Sequence, residues 1–184
     1  VLDGNFTSTL GTVNYGLMMQ DIDSDVTITG DAIFTGAGTM HPTLMTTGIV
    51  RVAGDFTVTS ADVLRAEGTT FEFNGTSPQL VTFNRSHTDE SYFYHLSITN
   101  PTTVTLVDTN ESNFYAKGNL TVRNGGTLTT IENFKVGGTA HLSADATYHG
   151  TNVLDVGGTI TVADTSTMDA ATLRARSYLN MATT

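Results

Sequence analysis

One nine-residue frame recurs along this chain, and it restricts the fold more than any other feature. The frame reads apolar, x, apolar, x, Gly, x, apolar, x, apolar. It is clearest in VTITGDAIF (26–34), VRVAGDFTV (50–58), FYAKGNLTV (114–122), FKVGGTAHL (134–142) and LDVGGTITV (154–162). Every alternate slot of these five copies is apolar. Weaker copies are LDGNFTSTL (2–10), FEFNGTSPQLVTF (71–83), LSITNPTTV (96–104) and LRARSYLNM (173–181), with Asn100 and Ser177 in the central place. The central anchors fall at 4, 30, 54, 75, 100, 118, 138, 158 and 177. Residues of period 2 belong to strands with one face inward and one outward. A Gly in mid-frame weakens a strand unless the chain turns there, so the anchors read as corners, with positive φ expected at them.

A turn of about 20 residues per copy is the arithmetic of an all-β parallel β-helix, or β-solenoid. Nine coils stacked at about 4.8 Å make a rod roughly 40 Å long. Like residues then lie over like, with Phe and Val ladders inside and Thr ladders outside. The alternative is an antiparallel β-sandwich, which also has many short strands, but reversing strands give little reason for one frame to recur. No segment has a capped apolar period of 3.6, so helix is not expected. The 184 residues read as one solenoid domain. Residues 1–25 are a candidate N-terminal assembly segment, and 84–95 an inserted loop.

Composition narrows the setting. Thr (36) and Gly (18) fill 54 of 184 positions, and the chain has no Cys. Disulfide scaffolds and thiolate metal sites are thereby excluded. Eighteen acids against eight bases give a net charge of −10, which disfavours nucleic acid and anionic membrane surfaces. No apolar run approaches the roughly 20 residues that span a bilayer. Absent Cys and only two Lys suit a secreted protein, extracellular or at the cell surface.

The motifs YAKGNLTVRNGGTL and VLDVGGTITVADTSTMDA resemble the Gly/Thr/Asn-rich coils of large secreted bacterial surface proteins. These include the filamentous-haemagglutinin-like adhesins and autotransporter stalks. The resemblance implies an extracellular stalk-forming or adhesive role, and it specifies architecture rather than activity. Those proteins run for many hundreds of residues, whereas this chain has about nine copies of the frame.

No convergent catalytic set emerges, and the chain reads as non-enzymatic. Asp31 and Asp55 follow neighbouring anchors and stack as a carboxylate pair, but no Lys or Arg joins them, and Asp after Gly is an ordinary turn choice. Asp21, Asp23 and Asp25 form an oxygen-rich cluster that suits Ca²⁺ or a solvated turn. The EF-hand places for Gly and Glu hold Val26 and Ala32, so that motif fails, and no other cofactor is expected. The five His lack metal-ligand spacing. In NRSHTDESYFYH (84–95), Arg85, His87, Tyr92 and Tyr94 are candidate recognition residues for a carbohydrate or cell-surface ligand, while Phe93 reads as core. Outward Thr raise an ice-binding alternative. The column Thr7, Ile33, Thr57, Pro78, Thr103, Thr121, His141, Thr161, Asn180 is too broken for a flat lattice.

The ends are the remaining feature. A solenoid without caps exposes strand edges and a slice of core at both ends. The candidate assembly residues are Leu2, Phe6 and Leu10 at one end and Leu173, Leu179 and Met181 at the other. Unlike ends that pair head to tail give an open filament, so the expected partner is another copy of the chain. A fragment of a longer adhesin stalk is the second reading, and a carbohydrate-binding solenoid the third.

Overall fold

The computed structural model describes residues 1–10, 17, 19–21, 23–36, 44–59, 64–84, 92–109 and 113–181. Within them the period-2 segments form strands and no helix. β1 (Phe6–Leu10) comes first, and β2 (Asp25–Ile28), β3 (Ala32–Gly36) and β4 (Leu44–Met45) make the next three-sided coil. β5 (Ile49–Val52), β6 (Phe56–Val58) and β7 (Arg65–Ala66) repeat it. β8 (Thr70–Phe73) and β9 (Gln79–Phe83) form two sides of a coil whose third side carries Tyr92 and Phe93. β10 (His95–Ile98), β11 (Thr103–Asp108) and β12 (Asn113–Ala116) follow. Then come β13 (Leu120–Val122), β14 (Thr127–Thr130) and β15 (Asn133–Val136). β16 (Ala140–Leu142) leads into β17 (Thr147–Val156), which bends across two sides. β18 (Ile160–Val162) and β19 (Thr167–Ala175) do the same, and β20 (Leu179–Met181) starts another turn.

Every strand pairing among the described residues is parallel, which makes the chain a β-solenoid and not a sandwich. The first face stacks β2, β5, β8, β10, β13, β16, β18 and β20. The second stacks β1, β3, β6, β9, β11, β14 and the leading parts of β17 and β19. The third carries β4, β7, the Tyr92–Phe93 bridge, β12, β15 and the trailing parts of β17 and β19. Among the described residues six coils have a strand on all three faces: β2–β4, β5–β7, β10–β12, β13–β15, β16–β17 and β18–β19. Nine copies of the frame therefore overstate the number of complete coils.

The single column of nine anchors is also corrected. Anchors 30, 54, 75 and 100 lie between β2 and β3, β5 and β6, β8 and β9, and β10 and β11, where the first face turns into the second. Anchors 118, 138, 158 and 177 lie between β12 and β13, β15 and β16, β17 and β18, and β19 and β20, where the third face turns into the first. The frame jumps by one face between Asn100 and Gly118. Both corners are equally tight, so both demand the same residue type and look alike in sequence. The reason for Gly differs from the expected one: of the anchor glycines only Gly4 has positive φ, and close approach of coils governs the rest. A Cβ on Gly54 would lie 2.6 Å from the Gly30 carbonyl oxygen, and one on Gly138 2.9 Å from that of Gly118.

The core is a Phe stack grading into aliphatic ladders. Phe34, Phe56, Phe83, Phe114 and Phe134 are fully buried and touch in sequence, at ring separations of 5.3, 6.2, 4.6 and 6.0 Å. Phe71, Phe73 and Phe93 close around Phe56 at 5.5, 5.7 and 5.4 Å. Beyond Phe134 the interior is lined by Leu142, Tyr148, Leu154, Val156, Ile160 and Val162, with the Tyr148 ring fully buried among aliphatic side chains. The in-register series Ile28, Val52, Phe73, Ile98, Val122 spends 21 to 25 residues per turn, while Val122, Leu142, Val162 spends 20.

Several buried slots are polar, among them Ser8, Gln79, Asp108 and Thr130. The shift at Ser77–Pro78 brings Gln79 inward, in line with Val104 on β11. Its Nε2 donates to the Val52 carbonyl at 3.0 Å, and its Oε1 accepts the Gly75 N–H and the Asn100 Nδ2 at 3.0 and 2.9 Å. Asn100 Oδ1 in turn accepts the Thr102 N–H at 2.7 Å, so the buried amides are satisfied and tie consecutive coils together. Phe56 is packed among the rings of Phe34, Phe71, Phe73, Phe83 and Phe93. Phe56→Ala is therefore expected to lower the unfolding free energy by about 3–5 kcal/mol, read from urea denaturation followed by far-UV circular dichroism.

Candidate functional site

At four anchor corners the residue after the anchor feeds the next coil. Asn5 Oδ1 accepts the Asp31 N–H at 2.8 Å, Asp31 Oδ1 the Asp55 N–H at 2.9 Å, and Asp55 Oδ1 the Leu80 N–H at 2.8 Å. Asn119 Oδ1 does the same for Thr139 at the other corner, at 2.9 Å. Asp31 and Asp55 are thus stacked as the frame predicts, with each carboxylate occupied by a backbone amide of the following coil.

Two of the three acidic residues considered for calcium have side-chain partners among the described residues. Asp21 Oδ1 accepts the Asp23 N–H at 3.1 Å, a local turn. Asp25 is ion-paired with Arg51, and Glu72 continues that charge ladder, 3.8 Å from Arg51 and 3.5 Å from Arg123. Among the described residues no group of three His, Asp or Glu side chains is gathered as a metal site.

Of the recognition candidates, Arg85 and His87 lie outside the described residues. Tyr92 is buried, with the Lys117 ammonium 3.5 Å above its ring, and Tyr94 packs edge-on to His95 at 4.7 Å. Phe93 is core, as read from the sequence, and residues 92–95 are built into the coil rather than looped out. The Thr column drawn from the nine anchors mixes two corners. The ladder formed in its place on the second face is Thr103, Thr127, Thr147 and Thr167. The column beside it runs Thr105, Thr129, His149, Asp169, where a His149–Asp169 contact of 2.8 Å interrupts the threonines.

The candidate assembly residues do sit at opposite ends of the stack. Leu2 is 42% exposed and holds β2 by a single bridge, Leu2 N–H to the Thr27 carbonyl (2.7 Å) and Thr29 N–H to the Leu2 carbonyl (3.1 Å). Phe6 is half-buried against Phe34, and Leu10 pairs with Gly36 through its backbone. At the other end Leu179 and Met181 are each 50% exposed, and Leu173 is partly buried beside Met168, Ala170 and Ala175. Among the described residues the outer edges of β1, β19 and β20 carry no further strand.

A second feature was not foreseen. Tyr115, Lys135, Asp155 and Arg174 stand in register on the third face. At the adjoining corner a hollow of about 420 Å³ is bordered by Tyr115, Lys117, Lys135, Asp155 and Arg176 and floored by Gly137 and Gly157. Arg176 holds Asp155 at 2.9 and 3.2 Å, which lowers the Asp155 pKa. Lys135 Nζ donates to the Tyr115 hydroxyl at 3.1 Å. Only the pairing register brings these bases together, because they come from three coils.

No protein-family model, curated protein or solved structure matches the chain.

His95 gives the ends' neighbouring face a pH dependence. Its Nδ1 accepts the Asn119 N–H at 3.0 Å, which requires an unprotonated nitrogen, and burial holds its pKa below the ordinary histidine value. As pH falls below about 6.5 the unfolded chain takes up a proton there that the folded chain resists, so stability drops. Above that range the contribution vanishes. Urea midpoints are expected to fall between pH 7.5 and 5.5 in the native chain, and to fall less in His95→Gln.

Proposed function

We propose that this chain is a non-enzymatic structural element of an extracellular fibre, and that it assembles head to tail through its open coil ends. The observation that carries this reading is the match between the two ends in the register of the stack. Leu2 and Met181 both belong at the inward position occupied by Ile28, Val52 and Val162 on the first face. If β20 of one copy pairs with β2 of the next, Met181 falls beside Ile28 and displaces the single Leu2 bridge. β1 of the second copy then lies over the leading half of β19. Met19, which bridges Met45 on the third face, comes over Ala175. One mixed coil, with β20 from one copy and β1 and Met19 from the other, closes the joint on all three faces. The apolar side chains left exposed at each end become core, and strand edges that template pairing are covered.

A secreted setting accords with the absence of Cys and with the resemblance to adhesin stalks. In a longer stalk the same stacking would continue within one polypeptide, and the exposed edges favour that second reading equally.

Electron microscopy of residues 1–184 is expected to show rods many times the length of a single unit of about 40 Å. Leu179→Asp with Met181→Asp is expected to leave single short rods with unchanged circular dichroism. Only short rods from the native chain would overturn polymerisation. The register has its own test, since the chain is free of Cys. Thr27→Cys combined with Asn180→Cys is expected to give an oxidised ladder of multimers, at the Cα separation of adjacent strands that a disulfide tolerates. Rods without such a ladder would overturn the register while leaving the polymer intact.

A further inference from the structure

We infer that the hollow at the third corner is a binding groove for an acidic polysaccharide, with its long axis along the rod. Lys117, Lys135, Arg174 and Arg176 are four of the chain's eight basic residues, and they border one continuous strip of surface with Asp155 as the acid among them. Elsewhere the chain is strongly acidic, with 18 Asp and Glu in all. A local positive strip on such a surface collects anions where the remaining surface repels them.

The strip is built to stay open. Lys117, Gly137, Gly157 and Arg176 occupy one corner column in consecutive coils, following the paired Ala116, Val136, Val156 and Ala175. A Cβ on Gly137 would lie 2.2 Å from the Lys117 carbonyl oxygen, and one on Gly157 2.3 Å from that of Gly137. Side chains are therefore barred from the floor between the two end cations. At about 4.8 Å per coil, Lys117 and Arg176 lie roughly 14 Å apart, and Lys135 and Arg174 roughly 10 Å apart. Asn113 and Asn133 extend the wall beside Lys135 and Arg174 with neutral amides, and Asn133 Nδ2 reaches Asn113 Oδ1 at 3.5 Å.

This spacing selects the ligand. Cations spread over 14 Å suit an extended chain with charges set apart, not a single compact anion. Arg174 offers a planar fork that matches a carboxylate, as Arg176 matches Asp155. The Tyr115 ring and hydroxyl and the Asn amides suit sugar rings and hydroxyls. Duplex DNA carries its charges far more densely, at about one per 1.7 Å of axis, and the chain's net charge opposes it. A polymer with one carboxylate per sugar fits both the spacing and the surroundings. The inference stands apart from fibre assembly, since all four cations belong to one copy.

The test uses fluorescently labelled oligogalacturonate, with neutral dextran and single-stranded DNA as comparisons, on the chain of residues 1–184. Saturable binding to oligogalacturonate that weakens with added salt is expected, with none to dextran. Lys135→Ala with Arg174→Ala removes two charged contacts and is expected to weaken binding by about tenfold or more, with thermal unfolding unchanged. Arg123→Ala, on the first face, is expected to bind as the native chain does. The proposal is overturned if the native chain does not bind, if the double variant binds equally well, if Arg123→Ala weakens binding as much, or if DNA binds as tightly as the uronate.

Discussion

Parallel backbone pairing between successive coils is the constraint from which the rest of this structure follows. Because each residue sits over its counterpart in the coil below, any side chain that suits one level must suit the next. Inward positions become continuous apolar columns such as Ile28, Val52, Phe73, Ile98, Val122, Leu142, Val162. Outward positions become ladders such as Thr103, Thr127, Thr147, Thr167. Corners inherit the same rule. Where two coils approach so closely that backbone meets backbone, the residue must lack a Cβ, and the Asp or Asn after it supplies an acceptor for the next amide.

The interior shows how this rule tolerates variation. Coils in the first half differ in length, and the rings of Phe56, Phe71, Phe73, Phe83 and Phe93 pack together inside them. Coils in the second half are uniform in length and are filled mostly by Leu, Val and Ile around the buried ring of Tyr148. The buried Gln79 and Asn100 mark the place where the chain slips through Ser77–Pro78, and their hydrogen bonds offset the polar burial. A stack of this kind transmits its register to its ends. The edges of β20 and β1 therefore keep the register of the strands beneath them.

Surface chemistry follows the columns as well. Asp25, Arg51, Glu72 and Arg123 alternate in sign along the first face and neutralise one another. The third face does not alternate: Lys117, Lys135, Arg174 and Arg176 meet Asp155, which leaves a net positive strip beside a glycine floor. Residues far apart in the chain thus form one surface because the coil brings them round to the same side.

The amino-acid sequence by itself determined the strands, their inward slots and the solenoid class, because a period of 2 with a recurring frame is a local property of the chain. It also placed Phe93 in the core and Leu2, Phe6, Leu179 and Met181 at the two ends. It did not determine which corner an anchor occupies. Gly30 and Gly138 answer the same demand for close approach, so a jump from one corner to another between Asn100 and Gly118 leaves the frame intact. The true outward columns, the Thr ladder and the basic strip all depend on that jump. They were decided only by the tertiary structure, since side-chain neighbours across coils are set by pairing register and not by position within a repeat.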